Sequence, residues 1–183
     1  LLKNKELKIV RRPSGGKAVL HSNGLTYALI WKYPPRNKKE SYLKISQWLI
    51  EGVKKAGVEL FFGNQSVNIS NNNCFATSTL ADLIDKDKNK YIGSAQYWKK
   101  GHLLQHGEIL MEPSNRLWNK VFDTDPPIIK KNQITKNKII CFLKESFINT
   151  WPNMKWFDYE LNEKDRDIIK LLSRDNFKEE NYF

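Results

Sequence analysis

Apolar residues along this chain fall into short runs broken by polar, Gly- and Pro-rich stretches, and into a few longer segments where they recur at helical spacing. "LKIVRR" (Leu7 to Arg12) reads as a strand entering a Gly-Gly turn, and "KAVLH" (Lys17 to His21) as its return. "LTYALIWKY" (Leu25 to Tyr33) is dense in the aromatic and β-branched residues that suit a pleated surface, and "YPPRN" stops it. "VELFF" (Val58 to Phe62) reads as a buried strand, with the polar connection "NQSVNISNNN" after it. "LADLI", "KYIGSAQYW" and "HLLQHGEILM" then read as strands, turned by "DKDKN" and "KKG".

Helical spacing comes first between Glu40 and Ala56. Ile45, Leu49, Val53 and Ala56 recur there at intervals of 4, 4 and 3, one stripe to be buried. Gly57 supplies the stop. "SNRLWNKVF" predicts a short helix with Ser114 as its N-cap. After the loop "DTDPPIIKKNQ", Thr135 to Phe147 predicts a second amphipathic helix, and Glu163 to Leu172 a third. Neither a repeat nor an obvious linker divides the chain. The expectation is a single domain over residues 1–183, of class α+β, with a largely antiparallel or mixed sheet and helices packed against it.

Composition narrows the function classes. A chain of 183 residues with 12% aromatics and six tryptophans can bury a real core and is not disordered. No apolar run approaches the ~20 residues of a membrane span. The chain opens at Leu1 inside "LKNKELKIVRR", already the approach to a strand, so a preceding segment is expected. The net charge of +11 is lysine scattered along the chain rather than a dense block. That argues for a generally basic surface, which speeds encounter with an acidic protein, and against a nucleic-acid interface. Two cysteines set no disulfide framework, so a reducing, cytoplasmic compartment is expected. Cys141, in "IICFLKESF", reads as a core residue. Two cysteines and three histidines show no zinc spacing, so no metal site is expected, and no Walker loop is present.

Candidate chemistry starts at "RRPSGGKAVLH", Arg11 to His21. Adjacent arginines stand before Ser14, Gly15 and Gly16. Glycines let backbone N–H groups approach a ligand, and Arg12 offers a fixed cation for carboxylate or phosphate. The same residues also read as a tight hairpin with a basic rim.

"RRPSGGKAVLH" and "LTYALI", then "CFATSTLADLI", then "KYIGSAQYWKKGHLLQHGEIL" occur in that order. Together they resemble the biotin/lipoate protein ligase superfamily, specifically lipoate-protein ligases and their octanoyltransferase relatives. The resemblance covers about Leu7 to Met111. It implies a class II biotin/lipoate ligase-like catalytic domain whose N-terminal helix and strands precede Leu1. It also implies transfer of an octanoyl or lipoyl group to a lysine of a lipoyl carrier domain, such as the glycine cleavage H protein or a 2-oxoacid dehydrogenase E2. In this family the Arg-Arg-x-Ser/Thr-Gly-Gly loop lies beside the acyl group, which would place Arg12, Ser14, Gly15 and Gly16 there. His21 stands where the family has a similar histidine, with a structural hydrogen bond as the other reading. Lys17 replaces a glycine common in ligases and resembles the cysteine-dependent octanoyltransferase branch.

Lys90 matches the family's lysine three residues before Gly93-Ser94-Ala95. An ammonium there can stabilise charge developing on an acyl carbonyl, or lower the pKa of a nearby thiol. By composition alone it is one more solvated lysine. Gly93, Ser94 and Ala95 leave room for an acyl chain, or mark a bulge or close strand crossing. Gln105-His106-Gly107 resembles the family's turn, where His106 would align acceptor or carbonyl, or serve structurally. The next residue is Glu108, where the family usually has serine or threonine. In "NNNCFATSTLADL" Cys74 resembles the transferase nucleophile; otherwise it is a small apolar residue before a strand. The expected donor is an octanoyl-carrier protein, with no tightly bound cofactor. The alternatives are an ATP-dependent ligase using lipoate, ATP and Mg²⁺, and a non-catalytic binding module for an acyl-carrier or nucleic-acid partner.

Overall fold

A computed structural model describes residues 9–63, 82–129 and 134–176 of the chain. They fall into two compact units, residues 16–154 and residues 9–15 with 155–176.

The larger unit is built on a five-stranded antiparallel sheet. Its strands are β1 (Leu25–Lys32), β2 (Phe61–Phe62), β3 (Leu83–Ile84), β4 (Lys90–Lys99) and β5 (His102–Ile109), in the order β1-β5-β4-β3-β2. Helix α1 (Lys38–Lys55) and helix α3 (Lys136–Thr150) pack on one another. Asn37 starts α1, its side chain accepting from the backbone N–H groups of Lys39 and Glu40 at 2.9 and 3.3 Å. The predicted stripe of Ile45, Leu49, Val53 and Ala56 is buried throughout. Leu49, Val53 and Ala56 meet Leu83, Ile92 and Ile109 of the sheet and Ile139 and Leu143 of α3 in the main core, while Ile45 packs with Leu29 and Leu103 in a second cluster. Each such side chain contributes about 1.5–3 kcal/mol when withdrawn from water. The helices cross closely at Gly52, where a Cβ would lie 2.8 Å from Leu143 Cδ2 and 3.0 Å from its Cα. Ser114 caps α2 (Asn115–Phe122) as expected, and Trp118 anchors it in the interior.

Three expectations need correction. "KAVLH" forms an isolated bridge at Ala18, not a returning strand, and residues 9–12 form none. Gly15 and Gly16 both take positive φ, +66° and +88°, a region that glycine enters without steric cost. Cys141 is exposed. Its neighbours Ile139 and Leu143 take the inward positions of α3, and 3.6 residues per turn leave the residue between them facing out. Gln105-His106-Gly107 lies inside β5 rather than at a turn.

In the smaller unit, Arg12 Nε donates to the carbonyl of Gly15 at 2.7 Å, closing the Pro13-Ser14 turn. Helix α4 (Glu163–Asn176) starts with a reciprocal cap. The Asp165 N–H donates to Asn162 Oδ1, and the Asn162 N–H to Asp165 Oδ2, each at 3.0 Å. Among the described residues no helix is long and apolar enough to cross a membrane.

Candidate active site

Antiparallel register sorts the candidate residues onto two faces of the sheet. Ile92, Ser94, Gln96 and Trp98 of β4 stand opposite Ile109, Gly107, Gln105 and Leu103 of β5. Leu25, Tyr27, Leu29 and Trp31 of β1 continue the same rows. Alternation turns this set toward the helices, and a register shift, Leu83 opposite Ile92 but Ile84 opposite Lys90, breaks the alternation before it reaches Lys90. Gly93 and Ala95 stand opposite Glu108 and His106 and belong to the other face.

Lys90 Nζ lies 2.9 Å from Asp82 Oδ1, and the two side chains are only 3% and 5% exposed. Two charges so deeply buried are tolerable only because they meet. Lys90 is therefore not the solvated lysine that composition alone suggests. Sequence reasoning missed Asp82. Its signal was a carboxylate inside the apolar run "LADLI", where an unpaired charge would be costly.

Ser94 ends a chain of side-chain hydrogen bonds running beneath α1. Trp98 Nε1 donates to Gln96 Oε1 at 3.1 Å, Gln96 Nε2 to Gln105 Oε1 at 2.8 Å, and Gln105 Nε2 to the Tyr27 hydroxyl at 3.1 Å. The Tyr27 and Ser94 hydroxyls then meet at 2.6 Å. Burial pushes the Tyr27 phenol up to about 12; its bonds to Ser94 and Gln105 act against this, and the Asp82 charge acts with it. Burial also raises Tyr42 to about 12, followed by the influence of Tyr27 and Asp82. Tyr27, Gln96 and Trp98 carry no motif of their own, and they join Ser94 and Gln105 only when three strands fall into register.

On the other face, His21 Nδ1 lies 2.6 Å from Glu108 Oε2. Glu108 is 2% exposed and His21 57%. The carboxylate fits because residue 24 is glycine: a Cβ there would collide with Glu108 Oε1. Gly107 is likewise required by packing, since a Cβ would run into the carbonyl of Gly93 and approach Tyr27 Cε1 to 2.8 Å. His106 is half-buried, Gly93 buried and Ala95 half-buried on this face.

The sheet therefore places Gly93, Ala95 and His106 on the face of the His21–Glu108 pair, Ser94 on the opposite face, and Lys90 beyond the register shift, paired with Asp82. Gly16 opens the larger unit, while Arg12, Ser14 and Gly15 belong to the smaller one. Cys74 lies outside the described residues. Among the described residues no group of three His, Cys, Asp or Glu side chains could hold a metal ion.

Comparison with known proteins adds four matches. Residues 1–149 match the lipoyl protein ligase A/B catalytic domain. The octanoyltransferase LipM of Clostridioides difficile (strain 630) is 30% identical over 197 residues, spanning 94% of this chain and 72% of the relative. The octanoyltransferase LipM of Anoxybacillus flavithermus is 28% identical over 201 residues, again 94% of this chain and 72% of its own length. Among solved structures, protein Ta0514 of T. acidophilum, with bound lipoic acid, superposes at a TM-score of 0.69. It is 16% identical over 91% of this chain and 67% of its own, a likeness of fold.

Proposed function

This chain belongs to the lipoyl protein ligase A/B catalytic domain family, and from that premise we propose that it transfers an octanoyl group from an acyl-carrier protein to one lysine of a lipoyl carrier domain. The supporting observation is the buried Lys90–Asp82 pair at the head of the strand that carries Gly93-Ser94-Ala95. A fixed ammonium in a dry setting stabilises charge developing on an acyl carbonyl far better than one in water, and needs no reorganisation as the charge forms. The similarity to octanoyltransferases along most of the chain, and Lys17 in place of a third glycine, favour the transferase branch over an adenylate-forming ligase.

In this reading the Cys74 thiolate attacks the carbonyl of the carrier-bound thioester. A new C–S bond forms, and the carrier thiolate leaves and takes up a proton. The neutral amine of the acceptor lysine then attacks the Cys74 thioester, forming the amide, losing a proton and returning the cysteine thiolate. Covalent capture splits one difficult transfer into two easier ones. Lys90 serves as the cation at the reacting carbonyl. Gly93 and Ala95 leave room along β4 for the acyl chain. Both partners are acidic carriers, which the net charge of +11 attracts.

The test mixes the full-length protein with an apo lipoyl domain and either octanoyl-carrier protein or lipoate, ATP and Mg²⁺. Mass spectrometry then follows the acceptor. A gain of one octanoyl group in the first mixture is expected. A gain only in the second assigns the chain to the ligase branch, and a gain in neither leaves a binding module.

A further inference from the structure

The His21–Glu108 pair has no part in the scheme above, yet it sets a rarely buried carboxylate against an accessible imidazole. We propose that Glu108 is a positioning residue that holds His21 with its proton on Nδ1, so that Nε2 accepts the proton lost by the acceptor lysine. The inference rests on the acyl-transfer reading and deepens its second half.

The geometry supplies each part. Glu108 stands opposite Gly93 in the β4–β5 register, on the face that also carries Ala95 and His106. An ionised carboxylate only accepts hydrogen bonds, so a partner nitrogen at 2.6 Å must carry the proton. In a neutral imidazole the other nitrogen is then the acceptor, and a buried carboxylate fixes ring orientation as well as tautomer. His21 is 57% exposed, so a carrier-domain lysine can reach the ring. Gly24 keeps the arrangement possible, since any side chain there would displace the carboxylate. A residue needed only for packing at position 108 would not call for a charged group in so dry a place. In the step itself, the lysine nitrogen bonds to the thioester carbonyl, the C–S bond breaks, and the ammonium proton passes to His21 Nε2. From there it passes to solvent through the exposed ring, and Cys74 departs as the thiolate.

Two measurements on the full-length protein test this. The ¹⁵N shifts of His21 report its tautomer without any substrate, and the Nδ1–H form is expected in the wild type and its loss in Glu108→Gln. Separately timed half-reactions are the second readout. Acylation of the enzyme by octanoyl-carrier protein should be unchanged in Glu108→Gln, while discharge to the lipoyl domain slows by about 100-fold, at the low end for a lost general base. A purely structural role would slow both halves together and overturn the proposal. So would an Nε2–H tautomer in the wild type, or discharge at the wild-type rate in Glu108→Gln. A wild-type protein that never acylates the lipoyl domain refutes the transfer reading itself, and with it this inference.

Discussion

Raising the pH should loosen this fold through Tyr27. Its phenol is pushed from 10.0 up to about 12, chiefly by burial. Below pH 10 the folded and unfolded chains both hold the proton, and the group contributes no pH dependence. Between pH 10 and about 12 the unfolded chain gives it up while the folded chain retains it, so stability falls as pH rises. At 1.36 kcal/mol per unit, the two-unit difference amounts to about 3 kcal/mol by pH 12. Tyr27→Phe removes this contribution. It also takes the hydroxyl from Ser94 and from the buried Gln105 amide, at a cost of about 1–3 kcal/mol at pH 8. Urea unfolding of both proteins, followed by tryptophan fluorescence from pH 8 to pH 11.5, measures the two terms. The variant should begin less stable and then lose less with pH, so that the curves converge. Parallel curves would refute the half-buried, hydrogen-bonded tyrosine described above.

Other expectations concern the core and the site. Gly52→Ala should destabilise the protein by about 1–3 kcal/mol in denaturant melts despite better helix propensity, because the new methyl meets Leu143 at the α1–α3 crossing; a stabilised variant would show that the helices separate freely. Asp82→Ala should cost about 3–5 kcal/mol, whereas Asp82→Leu combined with Lys90→Met should cost much less, since the burial penalty attaches to one charge left behind. Additive costs in that double-mutant cycle would contradict the pair. Lys90→Ala should lower octanoyl transfer by about 3 kcal/mol in activation free energy, with docking of the lipoyl domain unchanged. Near-normal transfer would remove Lys90 from the chemistry.

The long strands β1, β4 and β5 and the helices were legible because local signals agreed: dense aromatic and β-branched runs, a stripe at helical spacing, and a cap at Ser114. "KAVLH" misled because its composition suits a strand, while the chain pairs there only through a bridge at Ala18. Cys141 misled because an apolar run of "IICF" is longer than the inward face of a helix. The site was legible where a motif has fixed spacing, as with Lys90 before Gly93-Ser94-Ala95. Its partners were not. Glu108 lies 87 residues from His21, and Tyr27 lies 67 from Ser94, so only the folded sheet joins them.

Acyl transfer through Cys74 can be tested most directly by exposing the full-length protein to octanoyl-carrier protein with no acceptor present. Mass spectrometry of the digested enzyme should then find one octanoyl group on the Cys74 peptide. Neutral hydroxylamine should remove it, as expected for a thioester, addition of apo lipoyl domain should move it to the acceptor lysine, and Cys74→Ser should not acquire it. Full-rate transfer by Cys74→Ser, or acceptor modification that requires ATP and lipoate, would contradict the thioester route and return Cys74 to a structural role.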